Sequence, residues 1–110
     1  MFPDCQAIFI HDTRRIVAVN ECGCALFRCP REALVDLDML DLIAGDEMKQ
    51  LARLRLDTLQ EKGALKYRLD YEFMRCDGTA FCANTETRAI GNGLFMTIVN
   101  RRHEIKRAGW

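Results

Sequence analysis

The sequence predicts a single α+β domain, and three patterns predict it. From Tyr67 to Ile90, two period-two segments flank the turn Arg75-Cys76-Asp77-Gly78-Thr79, which is the mark of a β-hairpin. Three further apolar segments, near residues 6–11, 15–20 and 94–100, have the length and composition of strands. One segment, 46–62, carries the 3.6-residue period of a long amphipathic helix. Five strands and one principal helix suit a chain of 110 residues with 49% apolar content, enough for one modest core and too little for a second domain.

Taken in order, the first two strands are joined by Asp12-Thr13-Arg14, and short helical pieces follow through Leu42. Gly45 opens the principal helix; Asp46 and Glu47 place negative charge at the positive end of its dipole, and Lys62-Gly63 ends it with a cation and a residue tolerant of a left-handed backbone. In the hairpin, Tyr67, Leu69, Tyr71 and Phe73 face inward and Lys66, Arg68, Asp70 and Glu72 outward. Asp77-Gly78 supplies the positive φ of a tight connection. After it, Phe81, Ala83, Thr85, Thr87 and Ala89 take the inward parity. Small groups facing aromatic ones leave room for a ligand. The last strand, Leu94 to Asn100, follows the turn Gly91-Asn92-Gly93, and the charged run Arg101 to Arg107 reads as the start of a connector.

These segments, in this order, resemble a PAS domain over nearly the whole chain. Ala-Ile-Phe-Ile-His-Asp and Arg-Arg-Ile-Val-Ala-Val-Asn, between Ala7 and Asn20, resemble the two opening PAS strands with their frequent closing Asn. Glu21 to Val35 resembles the two short helices, with Cys29-Pro30-Arg31-Glu32-Ala33-Leu34-Val35 similar to Tyr-Ser-x-Glu-Glu-Leu-Leu. Arg-x-Asp-Gly-Thr followed by Phe81 is similar to the signature turn of the family. The resemblance implies a five-stranded antiparallel sheet with the short helices and the long helix packed on one face. It makes residues 1–110 one sensor domain, with a core of about 6–100 and residues 101–110 beginning an outgoing connector. It departs at the end, where PAS domains often carry Asp-Ile-Thr and this chain has Asn100-Arg101-Arg102. That puts the usual coupling to an outgoing helix in doubt.

Site residues follow from both sources. Met48, Leu51, Ala52, Leu56 and Leu59 share one arc of the long helix, with Arg55 near its middle. A guanidinium there must snorkel outward, pair with a carboxylate or hold an anionic ligand. In PAS domains this helix lines the ligand cavity, so the resemblance makes Arg55 the candidate for a carboxylate or phosphate, against packing at the pocket edge. His11 sides with Phe9 by strand parity, and comparison with PAS pockets turns both toward the cavity, as a ligand donor or as a satisfied structural histidine. Tyr71, Phe73, Thr85, Met96 and Ile98 complete the expected wall, suited to a small, partly aromatic organic acid or else simply core.

The first, second and last strands are apolar on both parities, whereas a half-solvated strand alternates. In the PAS arrangement they lie side by side, leaving an apolar patch on the outer sheet face. A symmetric homodimer through that face is the expected cover, with an output domain elsewhere in the full-length protein.

Other classes fare less well. Sixteen basic and sixteen acidic residues balance, giving no field to gather nucleic acid or anionic lipid. No apolar run approaches the roughly 20 residues that span a bilayer, and the chain reads as cytoplasmic. Six cysteines, Cys5, Cys22, Cys24, Cys29, Cys76 and Cys82, are read as small buried hydrophobes, with a redox thiol at Cys22, Cys24 or Cys29 as the alternative. Cys22 and Cys24 would point about 200° apart on a helix, unsuited to one metal ion. Flavin-photosensing LOV relatives carry Asn-Cys-Arg-Phe-Leu-Gln where this chain has Asp38 to Ile43, and haem-binding ones take an axial His from the long helix, which here has none. Flavin, haem and metal are therefore not expected. With no phosphate-cradling glycine loop, no His-Glu-x-x-His and no serine nucleophile beside a histidine, the chain is expected to bind and not to catalyse. The expected function is a small-molecule-sensing and dimerisation module of a signalling or transcription-regulatory protein, with a ligand-free scaffold or a thiol redox sensor as alternatives.

Overall fold

The computed structural model describes residues 6–62 and 66–105. Along the chain come β1 (Ala7–His11), β2 (Ile16–Val19), α1 (Glu21–Phe27), α2 (Arg31–Leu34), a 3-10 turn (Met39–Leu42), α3 (Asp46–Lys62), β3 (Lys66–Met74), β4 (Ala80–Gly91) and β5 (Leu94–Ile105). The strands form one five-stranded sheet in the order β2-β1-β5-β4-β3, every neighbouring pair antiparallel. The α+β reading, with a long helix over one face, holds. The expected terminator Gly63, the connector residues 106–110 and the side chain of Tyr67 lie outside what is described.

Local chemistry explains the joints. Asn20 is the N-cap of α1: its Oδ1 accepts from Gly23 N at 2.9 Å and from Ile8 N at 3.0 Å, while its Nδ2 donates to Gln6 O at 2.7 Å. One side chain thus ties β1, the end of β2 and the helix start together. In the hairpin turn, Gly78 has φ +86°, and Asp77 Oδ1 accepts from Thr79 N at 2.9 Å.

Helices and sheet meet around Phe27. Its ring makes edge contacts with Phe9, Phe73 and Phe81, at centroid separations of 5.4, 5.5 and 5.2 Å. Each such pair adds about 0.5–1.5 kcal/mol beyond the area it buries, so α1 is fixed to three strands at once.

Two expectations are corrected. The last strand does not stop at Asn100, because the long β4 offers it a ladder of partners as far as Phe81↔Glu104 and Ala80↔Ile105. Residues 100–103, with the charges of Arg101 and Arg102, are exposed, as on a connector, while the strand stays paired with β4. Nor are the cysteines all reduced: Cys29 and Cys76 form a disulfide with a Cα–Cα distance of 5.5 Å, and Cys22 is disulfide-bonded as well. The hairpin turn folds under the α1–α2 junction, where Cys76 N donates to Phe27 O at 3.2 Å, and this brings Cys76 to Cys29. Cys24 and Cys82 are free.

Candidate functional site

Between α3 and the sheet lies a cavity of about 30 Å³. Ala52 and Leu56 of α3, with Met39, Leu40 and Ile43, form its roof; Tyr71 and Phe73 of β3 form one side; His11, Thr85, Thr87 and Thr97 form the floor. Ile43 pairs with Phe73 in an isolated antiparallel bridge, and Ala44 N donates to Glu72 O at 2.9 Å, which holds the roof against the edge strand.

The floor carries a directional hydrogen-bond chain. His11 Nδ1 lies 2.7 Å from Asp12 O and Nε2 lies 2.7 Å from Thr97 Oγ1, which is 2.9 Å from Thr87 Oγ1. A carbonyl only accepts, so Nδ1 carries the proton. Burial of His11 lowers its pKa from the ordinary 6.5, although the Asp12 carbonyl opposes the shift. The ring is accordingly neutral, Nε2 accepts from Thr97, and Thr97 accepts from Thr87. Thr87 Oγ1, its proton spent, keeps only acceptor capacity at the cavity it lines. Thr85 is occupied separately, donating to Leu69 O at 2.9 Å.

Of the expected site residues, His11, Tyr71, Phe73 and Thr85 meet at this cavity. Phe9 is fully buried but belongs to the Phe27 cluster. Arg55 is half-buried at the rim, its Nη1 3.4 Å from Tyr71 Oη. The α3 arginine that does find a carboxylate is Arg53, whose Nη2 bonds Asp38 Oδ2 at 2.7 Å and whose Nη1 donates to Thr13 O. Met96 and Ile98 sit on the opposite parity: Phe95, Thr97 and Val99 are the buried residues of β5, so Thr97 takes the expected place of its neighbours. Thr97 and the roof residues Met39, Leu40 and Ile43 were not anticipated. The signal for Thr97 was a lone hydroxyl inside an apolar run.

On the outer face, cross-strand register sets Ile8 beside Ile98 and Ile10 beside Met96, all partly exposed, with Ala18 next to Ile10. Val17 is 50% exposed. The Arg88–Glu86 ion pair, 2.9 Å, lies in register beside Met96 and Ile98. Among the described residues no group of His, Cys, Asp or Glu is placed to hold a metal ion, and no helix is long and apolar enough to cross a membrane.

No protein-family model and no curated protein matches the chain. Solved structures do. A domain of the sensory box sensor histidine kinase/response regulator from Geobacter sulfurreducens superposes with a TM-score of 0.75 at 17% identity, over 86% of this chain and 82% of that one. The PAS domain, in complex with ethanol, of a LuxR-family transcriptional regulator from Burkholderia thailandensis gives 0.74 at 19% identity, over 90% of each chain. The LOV protein of Rhodobacter sphaeroides gives 0.72 at 17% identity, over 94% of this chain and 61% of that one. Likenesses of this extent to a sensory box domain, a PAS domain and a LOV protein show that the chain has the PAS fold.

Proposed function

We propose that the chain is the sensory module of a signalling or regulatory protein, binding a small neutral hydroxylic molecule and performing no catalysis of its own. The observation that carries this reading is the chain Thr87→Thr97→His11→Asp12, which ends in acceptor lone pairs at a cavity of about 30 Å³. A donor O–H satisfies those lone pairs; a carboxylate opposes them. The organic acid expected from Arg55 is therefore served less well than an alcohol, since Arg55 stands outside the lining.

Size points the same way. A cavity needs roughly 10–15 Å³ to admit one water, and drug-sized ligands use about 300–1,000 Å³. This one suits a molecule of two or three heavy atoms. A flavin, much larger than this cavity, is not part of the proposal, and haem would find both nitrogens of His11 already engaged. The similar Burkholderia domain was solved with ethanol, a molecule of the right scale. A ligand touching both the α3 roof and the β5 floor shifts their relative packing only so far as it binds the two arrangements differently.

The outer face of β1, β2 and β5 supports a homodimer, and an output domain, as in the similar sensor kinase and LuxR-family proteins, would read the change. A second reading, a ligand-free dimerisation scaffold, is favoured by one fact: among the described residues no buried side-chain polar atom lacks a hydrogen-bond partner.

Titration with ethanol, followed by the methyl resonances of Thr87 and Thr97, separates the two. Saturable shifts that vanish in Thr87→Val support sensing. Shifts that never saturate, or that persist unchanged in Thr87→Val, leave the scaffold.

A further inference from the structure

We propose that Cys29 and Cys76 are a reversible thiol–disulfide pair that controls how tightly the hairpin tip holds the end of β5. This goes beyond ligand sensing and does not depend on it.

The bridge joins residues 47 apart in sequence, the α1–α2 junction to the tip between β3 and β4. Its two ends differ in access: Cys29 is 4% exposed, while Cys76 lies in the exposed stretch of the turn. Immediately before Cys76 stands Arg75, nearly enclosed. Arg75 Nε donates to Leu26 O at 2.7 Å, its Nη1 to Thr79 Oγ1 at 3.2 Å, and its two terminal nitrogens to Glu104 Oε1 and Oε2 at 2.5 and 2.7 Å. Glu104 is the last residue but one of β5. The covalent link therefore sits one residue from the side chain that binds the end of the last strand to the body of the domain.

The domain does not need this bridge to have a core. The phenylalanine cluster closes without it, and the tip is also held by the Arg28–Asp77 ion pair at 2.8 Å and by Cys76 N–H to Phe27 O. A removable link in a domain already cored is placed to regulate; where thiols are kept reduced, a disulfide is generally transient and catalytic or redox-sensing.

The chemistry balances with a dithiol as co-reactant. Its thiolate attacks Cys76 Sγ from the exposed side, the S–S bond breaks, and Cys29 Sγ leaves with the electron pair and takes a proton. The second thiolate of the reagent then attacks the mixed disulfide, releasing Cys76 as the second thiol and departing as a cyclic disulfide. Two electrons and two protons pass to the protein. The Cys29 thiol finds an acceptor in place, since Phe27 O lies 3.3 Å from its sulfur. Without the bridge the tip opens more often, and each opening releases Glu104.

Amide hydrogen exchange on the whole chain, oxidised and after treatment with dithiothreitol, tests this. Exchange at residues 100–105 should quicken about tenfold on reduction while β1 and α3 keep their protection. In Glu104→Gln the two redox states should become alike at 100–105, and in Thr87→Val the difference should remain. Cys29→Ala/Cys76→Ala, which leaves the bridge at Cys22 in place, should match the reduced protein at residues 100–105; should it fail to fold, the Cys29–Cys76 bridge is a structural staple and the proposal falls. Equal protection at 100–105 in both states, loss of protection everywhere, or a bridge that resists the dithiol in the folded protein would each overturn it.

Discussion

Arg75 grips Glu104 with two hydrogen bonds, 2.5 and 2.7 Å long, across 29 residues of sequence, while its guanidinium lies 4.5 Å over the ring of Phe81. This pair answers the departure at Asn100-Arg101-Arg102. The carboxylate absent there arrives at Glu104, because β5 runs on along β4 and carries its acid to the turn. The Glu104 side chain remains 35% exposed, so the geometry is of a buried cation meeting a carboxylate at the surface.

Replacing Arg75 by Met keeps an apolar stem over Phe81 and deletes the donors. The part-buried Leu26 carbonyl then loses its side-chain partner, which costs at most about 1–3 kcal/mol. Urea denaturation should show that loss in the midpoint with an unchanged slope. A midpoint equal to wild type would mean that the guanidinium contributes nothing net.

Glu104 is held at a pKa of about 2, down from 4.5, by hydrogen bonds from Arg75 first and Arg101 second. A carboxyl with a depressed folded pKa binds its proton more readily when unfolded, so its stabilisation is complete above pH 4.5 and is lost as pH falls toward 2. Asp77 is lowered too, mainly by the hydroxyl of Thr79, and contributes in the same acid range. Thermal melts from pH 5 to 2 should fall more steeply for wild type than for Glu104→Gln. Parallel profiles would remove Glu104 from the acid transition.

His11 acts in a higher window and with its own sign. Its folded pKa is below 6.5 because burial penalises the charged ring. Below pH 6.5 the unfolded chain takes the proton first, so stability contributed by the neutral ring is full above 6.5 and declines as pH drops, by at most about 1.4 kcal/mol per pH unit. Unfolding free energies between pH 7 and 5 should slope for wild type and lie flatter in His11→Gln. Protonation also reverses the floor, since a charged ring donates to Thr97, which then donates to Thr87 and frees the Thr87 hydroxyl, so a bound alcohol should accept there instead of donating over the same range.

The hairpin was legible because Asp-Gly at its tip and strict alternation on either side agree; inward Tyr71, Phe73 and Thr85 were read correctly for that reason. The start of α3 was legible from Gly45 and the acids after it. Parity in β5 was not, because Leu94, Phe95, Met96, Ile98 and Val99 are apolar on both faces and alternation carries no signal in such a run. Arg55 at the pocket edge was one of the readings left open, and it is the one found: Leu51 is 38% exposed, which turns the buried face of α3 toward Ala52, Leu56 and Leu59 and leaves Arg55 at the rim. The disulfide could not be read, since its cysteines are brought together only by the turn folding under α1.

Gly23 is in a helix but is there for packing. A Cβ added to it would stand 2.5 Å from Val19 Cγ2 and 3.4 Å from Phe9 Cε1. Helix propensity favours Ala by about 1 kcal/mol, yet Val19 is β-branched and stiff and cannot swing aside. Overpacking wins, and Gly23→Ala should destabilise by about 1–3 kcal/mol in chemical denaturation. A stabilised variant would show that α1 can lift from β1 and β2 at no cost.

The proposed homodimer makes a demand on Ile8. Its side chain lies on the outer face beside Ile98, away from the cavity and from the Phe27 cluster. A lysine there can extend into water in a monomer, so the fold should lose no more than about 1 kcal/mol. In a two-fold interface through this face, however, two such cations are desolvated together and near one another, and a like-charge contact of that kind weakens association far more than it weakens the fold. Sedimentation equilibrium should therefore find wild type dimeric at micromolar concentration, and Ile8→Lys monomeric with a melting temperature close to that of the isolated protomer. The exposed Val17 on β2 serves as the comparison, because a lysine at the sheet edge lies farther from the Ile8–Ile98 pair and should weaken the dimer less. A wild-type monomer at that concentration, or a dimer indifferent to Ile8→Lys, would assign the apolar outer face to some cover other than a second copy of the chain.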